Sequence, residues 1–126
     1  MFTFDEIGEM LDIVADEVPL EFYRDLNGGV SLLPDTKTHD QAIDGDLYIL
    51  GDYHHDSLGR YIFIYYGSLM QVYPQLTAEE MSARLLKLLL HEFTHHLESL
   101  TGQHSLEDKD ARDLDDYKRR SRRRDK

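Results

Sequence analysis

Two histidines and a glutamate in this chain stand at a spacing that suits metal-ion chemistry. His91 and His95 are four residues apart, and Glu92 directly follows the first of them, inside the largely apolar run from Met81 to Leu100. Residues four apart on an α-helix lie one turn above another on the same face, so both imidazoles can reach one ion. Glu92 is rotated about 100° from His91. Its carboxylate is therefore expected beside the ion, where it can act as a general base.

The pattern predicts zinc as the cofactor, at one ion per chain. Because the chain has no cysteine, the ion must be held by imidazole and carboxylate groups. Catalytic zinc takes three protein ligands and leaves the fourth position open. Glu98 lies on the same stripe as His91 but about 10.5 Å along the helix axis, too far to share one ion comfortably. A third ligand is therefore expected after the helix, and the candidates are His104, Glu107, Asp108 and Asp110.

Composition is typical of a soluble, globular chain of single-domain length. Of its 126 residues, 40% are hydrophobic and 31% are charged, which suits a chain that buries a modest core. The first residues lack the basic and apolar regions of a signal peptide, and no uncharged apolar run approaches the ~18 residues of a membrane span. We expect a cytoplasmic protein with no membrane partner.

The net charge of −11 conceals an uneven distribution. Residues 118–126 hold seven basic side chains and one acid, a local charge of +6, so residues 1–117 carry −17. An acidic body repels nucleic acid and anionic membranes. A run of like charge at a terminus is usually a solvated end. We expect residues 1–117 to be one folded domain and 118–126 to be a disordered tail that does not bind nucleic acid.

The helices that must position the motif are predicted from capping signals and apolar spacing. A threonine followed three residues later by a glutamate forms a capping box at Thr3 and again at Thr77. The first box opens an amphipathic helix that runs to about Glu17, and the second opens the long helix that carries the motif. That helix is predicted to end near Thr101-Gly102. A short second helix is predicted from Leu20 to Leu26.

Three strands are predicted between these helices, namely Val30 to Leu33, Leu47 to Tyr53 and Arg60 to Tyr66. Gly51 within the second strand indicates a bulge or a close approach of another group. The last two strands favour an antiparallel hairpin, with the polar segment from His54 to Gly59 as its exposed turn. The remaining segments are predicted to be a polar loop (35–45), a short helical turn (67–74) and a thin charged helix (108–124).

Taken together, these segments resemble the small bacterial zincin-like metallopeptidases, also called minimal metalloproteases. The resemblance rests on Phe22 after Pro19, on Leu50-Gly51-Asp52-Tyr53, on the strand Ile62 to Gly67, and on the doubled histidine that ends His91 to His96. It implies an α+β fold with a compact zincin-like core, in which the motif helix and the N-terminal helices pack on a small mixed sheet. It also implies a bound divalent ion, zinc, and a peptide or protein substrate.

Within that resemblance, the third ligand is assigned to Asp110. Many members of the family place Phe-Gly and then an aspartate soon after the doubled histidine, whereas this chain has Leu97-Glu98 and then Thr101. Lys109-Asp110-Ala111 is the segment most similar to the acidic position of shorter relatives. His96 is rotated off the metal-binding stripe, so it is expected to pack in the core or to support a ligand.

The predicted activity is hydrolysis of peptide bonds, with zinc polarising the carbonyl and Glu92 transferring the proton of water to the leaving amine. One of Tyr53, Tyr65 and Tyr66 could stabilise an oxyanion. The strand that ends at Tyr53 is a candidate for pairing with an extended substrate. Two other classes stay open: a metal-binding regulatory or interaction module without turnover, and an acidic interaction domain without metal. The substrate and the oligomeric state are not determined by the sequence.

Overall fold

Helices and short strands alternate along the chain. The computed structural model describes residues 1–39 and 47–102. In chain order the elements are α1 (Phe4–Glu17), a 3₁₀ turn (Leu20–Tyr23), β1 (Val30–Leu33), β2 (Lys37–Thr38), β3 (Tyr48–Ile49), β4 (Gly51–Asp56), β5 (Gly59–Tyr65), α2 (Tyr66–Val72) and α3 (Ala78–Thr101). This mixture confirms the α+β class that the sequence predicts.

Both long helices begin at the predicted capping boxes. The Thr3 hydroxyl accepts from the Glu6 amide at 3.1 Å, and the Glu6 carboxylate accepts from the Thr3 amide at 2.8 Å. Thr77 and Glu80 repeat these bonds at 3.1 and 2.9 Å. Each box satisfies amide groups that have no partner inside the first helical turn. α3 ends at Gly102, whose φ of +68° is a left-handed conformation that glycine adopts without strain.

β5 is the central strand of a three-stranded sheet with the order β1-β5-β4. β1 pairs with it in parallel and β4 pairs with it antiparallel, which confirms the predicted hairpin. The hairpin is longer than predicted, because the ladder continues to the pair Asp56↔Gly59 and leaves only Ser57-Leu58 as the turn. His54 and His55 therefore belong to β4, and the prediction of an exposed turn there is wrong. Polar residues are tolerated at His54 and His55 because, in the described part of the chain, β4 lies at the edge of the sheet and both side chains are at least partly exposed.

Three short segments also depart from prediction. The strand expected from residue 47 to 53 is divided at Leu50, so that β3 pairs with β2 in a separate two-stranded sheet while β4 joins the main sheet. β2 lies within the segment predicted as a polar loop (35–45), of which residues 40–45 are outside the described part. The predicted second helix is a 3₁₀ turn that ends at Tyr23. Each departure depends on pairing with distant residues or on the local turn type, which apolar spacing does not specify.

Gly51 marks the close approach that the sequence predicts. A Cβ atom at this position would lie 2.9 Å from Ile64 Cδ1, 3.0 Å from the Phe63 carbonyl oxygen and 3.6 Å from Leu88 Cδ1. Real Cβ atoms rarely come this close to a backbone oxygen, so a larger residue would move β4 away from β5. The glycine therefore allows β4 to begin directly beside α3.

The core lies between α1, α3 and the inner face of the sheet. Its fully buried apolar side chains are Ile7, Ile62, Ile64, Leu69, Met81, Leu85, Leu89 and Phe93. The four members from α3 recur every four residues and so form one stripe along the helix. This stripe fixes the rotation of α3, and with it the direction of every polar side chain that the helix carries.

No helix in the described part of the chain is both long and apolar enough to cross a membrane. The thin helix predicted over residues 108–124 and the basic tail 118–126 lie outside the described residues. The same holds for residue 117, the predicted end of the folded domain.

Candidate metal centre

His91 and His95 turn their imidazole rings toward each other on one flank of α3. Their Nε2 atoms are 3.2 Å apart, and the ring planes stand at 89° to each other. Two imidazole nitrogens bound to one tetrahedral zinc ion, each at 2.0–2.1 Å, would lie roughly 3.3 Å apart. The pair therefore has the separation that two ligands of a single zinc ion require.

Glu92 lies beside this pair on the inner side of α3. Only 5% of its surface is exposed, and two of its neighbours on the helix, Leu89 and Phe93, are fully buried. A carboxylate in such surroundings is costly unless polar or charged groups accompany it. The packing of α3 limits the directions open to this side chain, which is the condition that a positioned base must meet.

His96 is held by two hydrogen bonds in the core. Its Nε2 atom lies 2.7 Å from the Arg24 carbonyl oxygen, and its Nδ1 atom lies 2.9 Å from the Tyr53 hydroxyl. Because a carbonyl can only accept, Nε2 carries the hydrogen and Nδ1 accepts from the tyrosine. Burial lowers the pKa of His96, which favours this neutral form. His96 thus joins α3 to β4 and to the segment after the 3₁₀ turn, in agreement with the packing or supporting role predicted for it.

β4 runs alongside α3 and reaches, at Ser99, the part of the helix that we call the histidine flank (His91, His95 and Ser99). Three contacts join β4 to α3. Gly51 lies against Leu88, Tyr53 is hydrogen-bonded to His96, and His55 Nδ1 lies 3.5 Å from Ser99 Oγ. In the described part of the chain, β4 pairs with β5 on one side and with no strand on the other. The Leu50 carbonyl accepts from the Tyr65 amide, so the alternate backbone groups, those of residues 51, 53 and 55, point to the open side.

Arg60 reaches the histidine flank from β5. Its Nη1 atom donates to the Tyr53 hydroxyl at 3.2 Å and to the Ser99 hydroxyl at 2.5 Å. His55, which is paired with Arg60 across the hairpin, lies over the same serine. No sequence pattern singled out Arg60, because the serine that it contacts is 39 positions away along the chain.

The three tyrosines considered as oxyanion donors direct their hydroxyl hydrogens elsewhere. Tyr53 donates to His96, Tyr65 donates to the Asp52 carboxylate at 3.0 and 3.1 Å, and Tyr66 donates to a backbone carbonyl at 2.6 Å. Each hydroxyl has a single hydrogen to donate. In this structure none of these hydrogens is directed at the histidine pair, so the structure does not single out one tyrosine as the oxyanion donor.

No third ligand joins the histidine pair in the described part of the chain. Within residues 1–39 and 47–102 there is no group of three His, Asp or Glu side chains placed to hold a metal ion. The exclusion of Glu98 as a ligand, which its distance from His91 along the helix suggests, stays a prediction. Asp110, the ligand that the resemblance implies, lies outside the described residues, and so do His104, Glu107 and Asp108.

A second polar group, which we call the outer cluster (Lys37, Asp52, His54 and Tyr65), lies on the sheet face away from α3. The Asp52 carboxylate is 2.8 Å from Lys37 Nζ and 2.7 Å from His54 Nε2, and it also accepts from Tyr65. The hydrogen bond from Lys37 to Asp52 raises the pKa of the lysine. His54 stacks on Tyr61 with ring centroids 4.8 Å apart. The outer cluster therefore supplies its own cation to its carboxylate.

Comparison with known proteins finds similarity to a conserved hypothetical protein of known structure. The chain is similar to the solved structure of a conserved hypothetical protein from Thermo thermophilus, with 32% sequence identity and a TM-score of 0.69. The alignment covers 79% of this chain and 98% of that one. No family model and no curated protein matches the chain. The comparison therefore shows shared ancestry and fold, and the chemistry has to be argued from the residues.

Proposed function

The chain belongs to the family of the conserved hypothetical protein from Thermo thermophilus, and from the residues that its fold brings together we propose that it is a zinc-dependent metallopeptidase. The observation that carries the proposal is the 3.2 Å separation of the two Nε2 atoms of His91 and His95, with Glu92 next to them on the same helix. The arrangement of α3 against the small sheet supports the further proposal that this core is zincin-like.

The ion would be held by His91 and His95 and by a third ligand from the segment after α3, for which we propose Asp110. Bound there, a zinc ion supplies a Lewis acid that polarises a carbonyl and makes water a nucleophile at neutral pH. The two histidines come from adjacent turns of one helix, so the geometry of that helix brings their side chains close together. A returning chain can approach the pair from a direction that the helix itself does not supply.

In the proposed reaction, Glu92 moves the proton. Its carboxylate takes a proton from the attacking water and passes it to the leaving amine. The same group thus serves first as base and then as acid. The neighbouring core residues keep the carboxylate on the side of α3 next to the histidines. His96 and Tyr53 hold the helix and β4 at a fixed distance from each other through their hydrogen bond.

We propose that the substrate binds as an additional strand along the open side of β4. The backbone groups of residues 51, 53 and 55 offer an alternating row of donors and acceptors, which an extended peptide can pair with. β4 runs alongside α3 from Leu88 to Ser99. A peptide on this edge would therefore present its backbone carbonyls along the line of His91 and His95.

The replacement Glu92→Gln tests the proposal with little change of shape. Zinc content of the full-length wild-type and variant proteins is measured by elemental analysis, and turnover is measured with a mixed library of fluorescence-quenched peptides. We expect about one zinc ion per chain in both proteins and hydrolysis that is slower in Glu92→Gln by a factor of about 10²–10⁴. Glu98→Gln, a matched change on the same helix, is expected to keep both zinc and turnover.

Each other result points to a different class of protein. Unchanged hydrolysis by Glu92→Gln would remove the glutamate from the mechanism. Zinc without turnover on any library would favour a metal-binding regulatory or interaction module. A wild-type protein that takes up no zinc would favour an acidic interaction domain, and the metallopeptidase proposal would be wrong.

A further inference from the structure

A guanidinium group lies at one end of the histidine flank. Arg60 reaches across from β5, and its Nη1 atom donates to the hydroxyls of Tyr53 and Ser99. Ser99 follows His95 by four residues on α3, which is one turn, or about 6 Å along the axis. The positive charge therefore lies just beyond the second histidine, on the side toward which β4 runs.

Part of the hydrogen-bonding capacity of Arg60 is turned away from these two hydroxyls. A guanidinium has five N–H groups, and Nη1 uses both of its own in the bonds to Tyr53 and Ser99. Within residues 1–39 and 47–102, neither Nε nor Nη2 of Arg60 has a hydrogen-bond partner, and no carboxylate forms a salt bridge with it. Nε and Nη2 together form the edge that binds a carboxylate through two parallel hydrogen bonds.

An arginine with no carboxylate partner among residues 1–39 and 47–102 is unexpected in so acidic a chain, which has 25 acidic and 14 basic residues. Lys37, from the separate β2-β3 sheet, is paired with Asp52 of β4 at 2.8 Å. The partners of Arg60 in the described part of the chain are neutral hydroxyls, which fix the position of the cation but do not neutralise it. A half-buried cation held in this way attracts an anionic group from outside.

We propose that Arg60 binds a carboxylate of the peptide substrate and makes the enzyme selective for acidic peptides. This inference rests on the proposed function, because it takes the substrate to lie along β4. An extended chain advances about 3.3 Å per residue. The carboxylate therefore belongs to a residue about two positions from the bond beside His95, as an acidic side chain or as the C-terminal group. Arg60 sets specificity, and Glu92 and the histidines perform the chemistry.

Peptide mixtures that differ in one carboxylate test this assignment on the zinc-loaded, full-length protein. Two mixtures of acetylated peptide amides carry either Glu or Gln at one fixed position, and a third lacks acidic side chains but ends in a free carboxylate. We expect kcat/KM for one carboxylate-containing mixture to exceed that for the Gln mixture by about tenfold or more. A preference for Glu identifies a side-chain carboxylate, and a preference for the third mixture identifies the C-terminal group.

Two variants at the same position separate charge from geometry. Arg60→Gln is expected to remove the preference, so that kcat/KM for the carboxylate-containing mixture equals that for the Gln mixture measured on the same variant. Arg60→Lys keeps the charge but not the two-point contact, so it should retain only part of the preference. Arg84→Gln is the matched control, because Arg84 lies 4.9 Å over the Tyr73 ring, toward the other end of α3, and should keep the full preference.

The NMR signal of the Arg60 Nε–H group distinguishes failure of this inference from failure of the proposed function. The same mixtures are added to the Glu92→Gln variant, and the signal is assigned through its loss in Arg60→Lys. A shift with a carboxylate-containing mixture and not with the Gln mixture supports carboxylate binding, even if the wild type hydrolyses nothing. No shift, or an unchanged preference in Arg60→Gln, overturns the assignment.

Discussion

The outer cluster and the histidine flank are two polar groups that both contain histidine, and they differ in what stands at their centre. In the outer cluster, three side chains surround the carboxylate of Asp52, and one of them is the ammonium group of Lys37. On the histidine flank, two imidazole nitrogens face each other across 3.2 Å. The outer cluster contains its own cation. In the proposal, the cation of the histidine flank comes from solution.

In the proposal, the outer cluster holds the protein together and the histidine flank binds a ligand. Polar groups that neutralise each other contribute to folding, and an added ion would have to displace Lys37 to reach Asp52. Two converging nitrogens and a guanidinium held by neutral hydroxyls offer binding capacity to a cation and an anion respectively. The choice of the histidine flank as the proposed site therefore rests on the arrangement of charges more than on the kinds of residue.

Replacing one histidine of each group by alanine should give the largest difference, which is a difference in zinc content. His95→Ala removes one of two ligands, so we expect zinc content to fall from about one ion per chain to none. His54→Ala removes a donor from a carboxylate that Lys37 still neutralises, so zinc content should not change. Elemental analysis after dialysis against dilute zinc checks both. Loss of zinc from His54→Ala would assign the ion to the outer cluster.

Replacing the two neighbouring histidines of α3 should separate support from ligation. His96 is fully buried with both ring nitrogens in hydrogen bonds, so His96→Ala should lower the free energy of unfolding by about 2–4 kcal/mol. His95 is half exposed, and His95→Ala should cost less than about 1 kcal/mol. Urea denaturation with a chelator present measures both without a contribution from zinc. Equal losses would contradict the supporting role of His96.

Removing the charge at the centre of the outer cluster should affect stability and leave the metal centre intact. Asp52→Asn keeps the shape of the side chain but weakens its bonds to Lys37, His54 and Tyr65, so we expect a loss of about 1–3 kcal/mol. Zinc content and hydrolysis should match those of the wild type. Asp12→Asn, an exposed carboxylate on α1, is the control and should change stability by less than about 0.5 kcal/mol. A drop in zinc content would show that the two groups are coupled.

The smallest effect is expected for Lys37→Met, and it should depend on pH. The lysine side chain is 40% exposed, so its pairing with Asp52 should contribute only about 0.5 kcal/mol. The hydrogen bond to Asp52 raises the pKa of Lys37 in the folded state above 10.5. The unfolded chain then loses this proton first as pH rises, so the contribution is complete below about pH 10 and disappears at higher pH.

Thermal unfolding at a series of pH values checks this sign. The difference in Tm between wild type and Lys37→Met should be constant from neutral pH to about pH 10 and should shrink above it. Lys87→Met, which removes an exposed lysine of α3, controls for the general loss of positive charge. A difference that grows with pH would contradict the pairing.

The candidate ligands and the long helices could be predicted because their interactions are local. The capping boxes at Thr3 and Thr77 join residues three positions apart, and the paired imidazoles of His91 and His95 are one helical turn apart. Apolar residues at fixed intervals also set which face of α3 is buried. The amino-acid sequence by itself therefore determined the helix and the orientation of its two histidines.

The surroundings of that helix were decided by the tertiary structure. The length of β4 depends on its ladder with β5. The local sequence predicts a turn at His54 and His55 because it does not specify that pairing. His96 finds the Arg24 carbonyl 72 positions away and Tyr53 43 positions away, and Arg60 finds Ser99 at 39. Such contacts form only when packing brings distant segments together. The sequence determined that the imidazoles of His91 and His95 face each other along one helix. Only the tertiary structure determined which groups from other segments lie next to that helix.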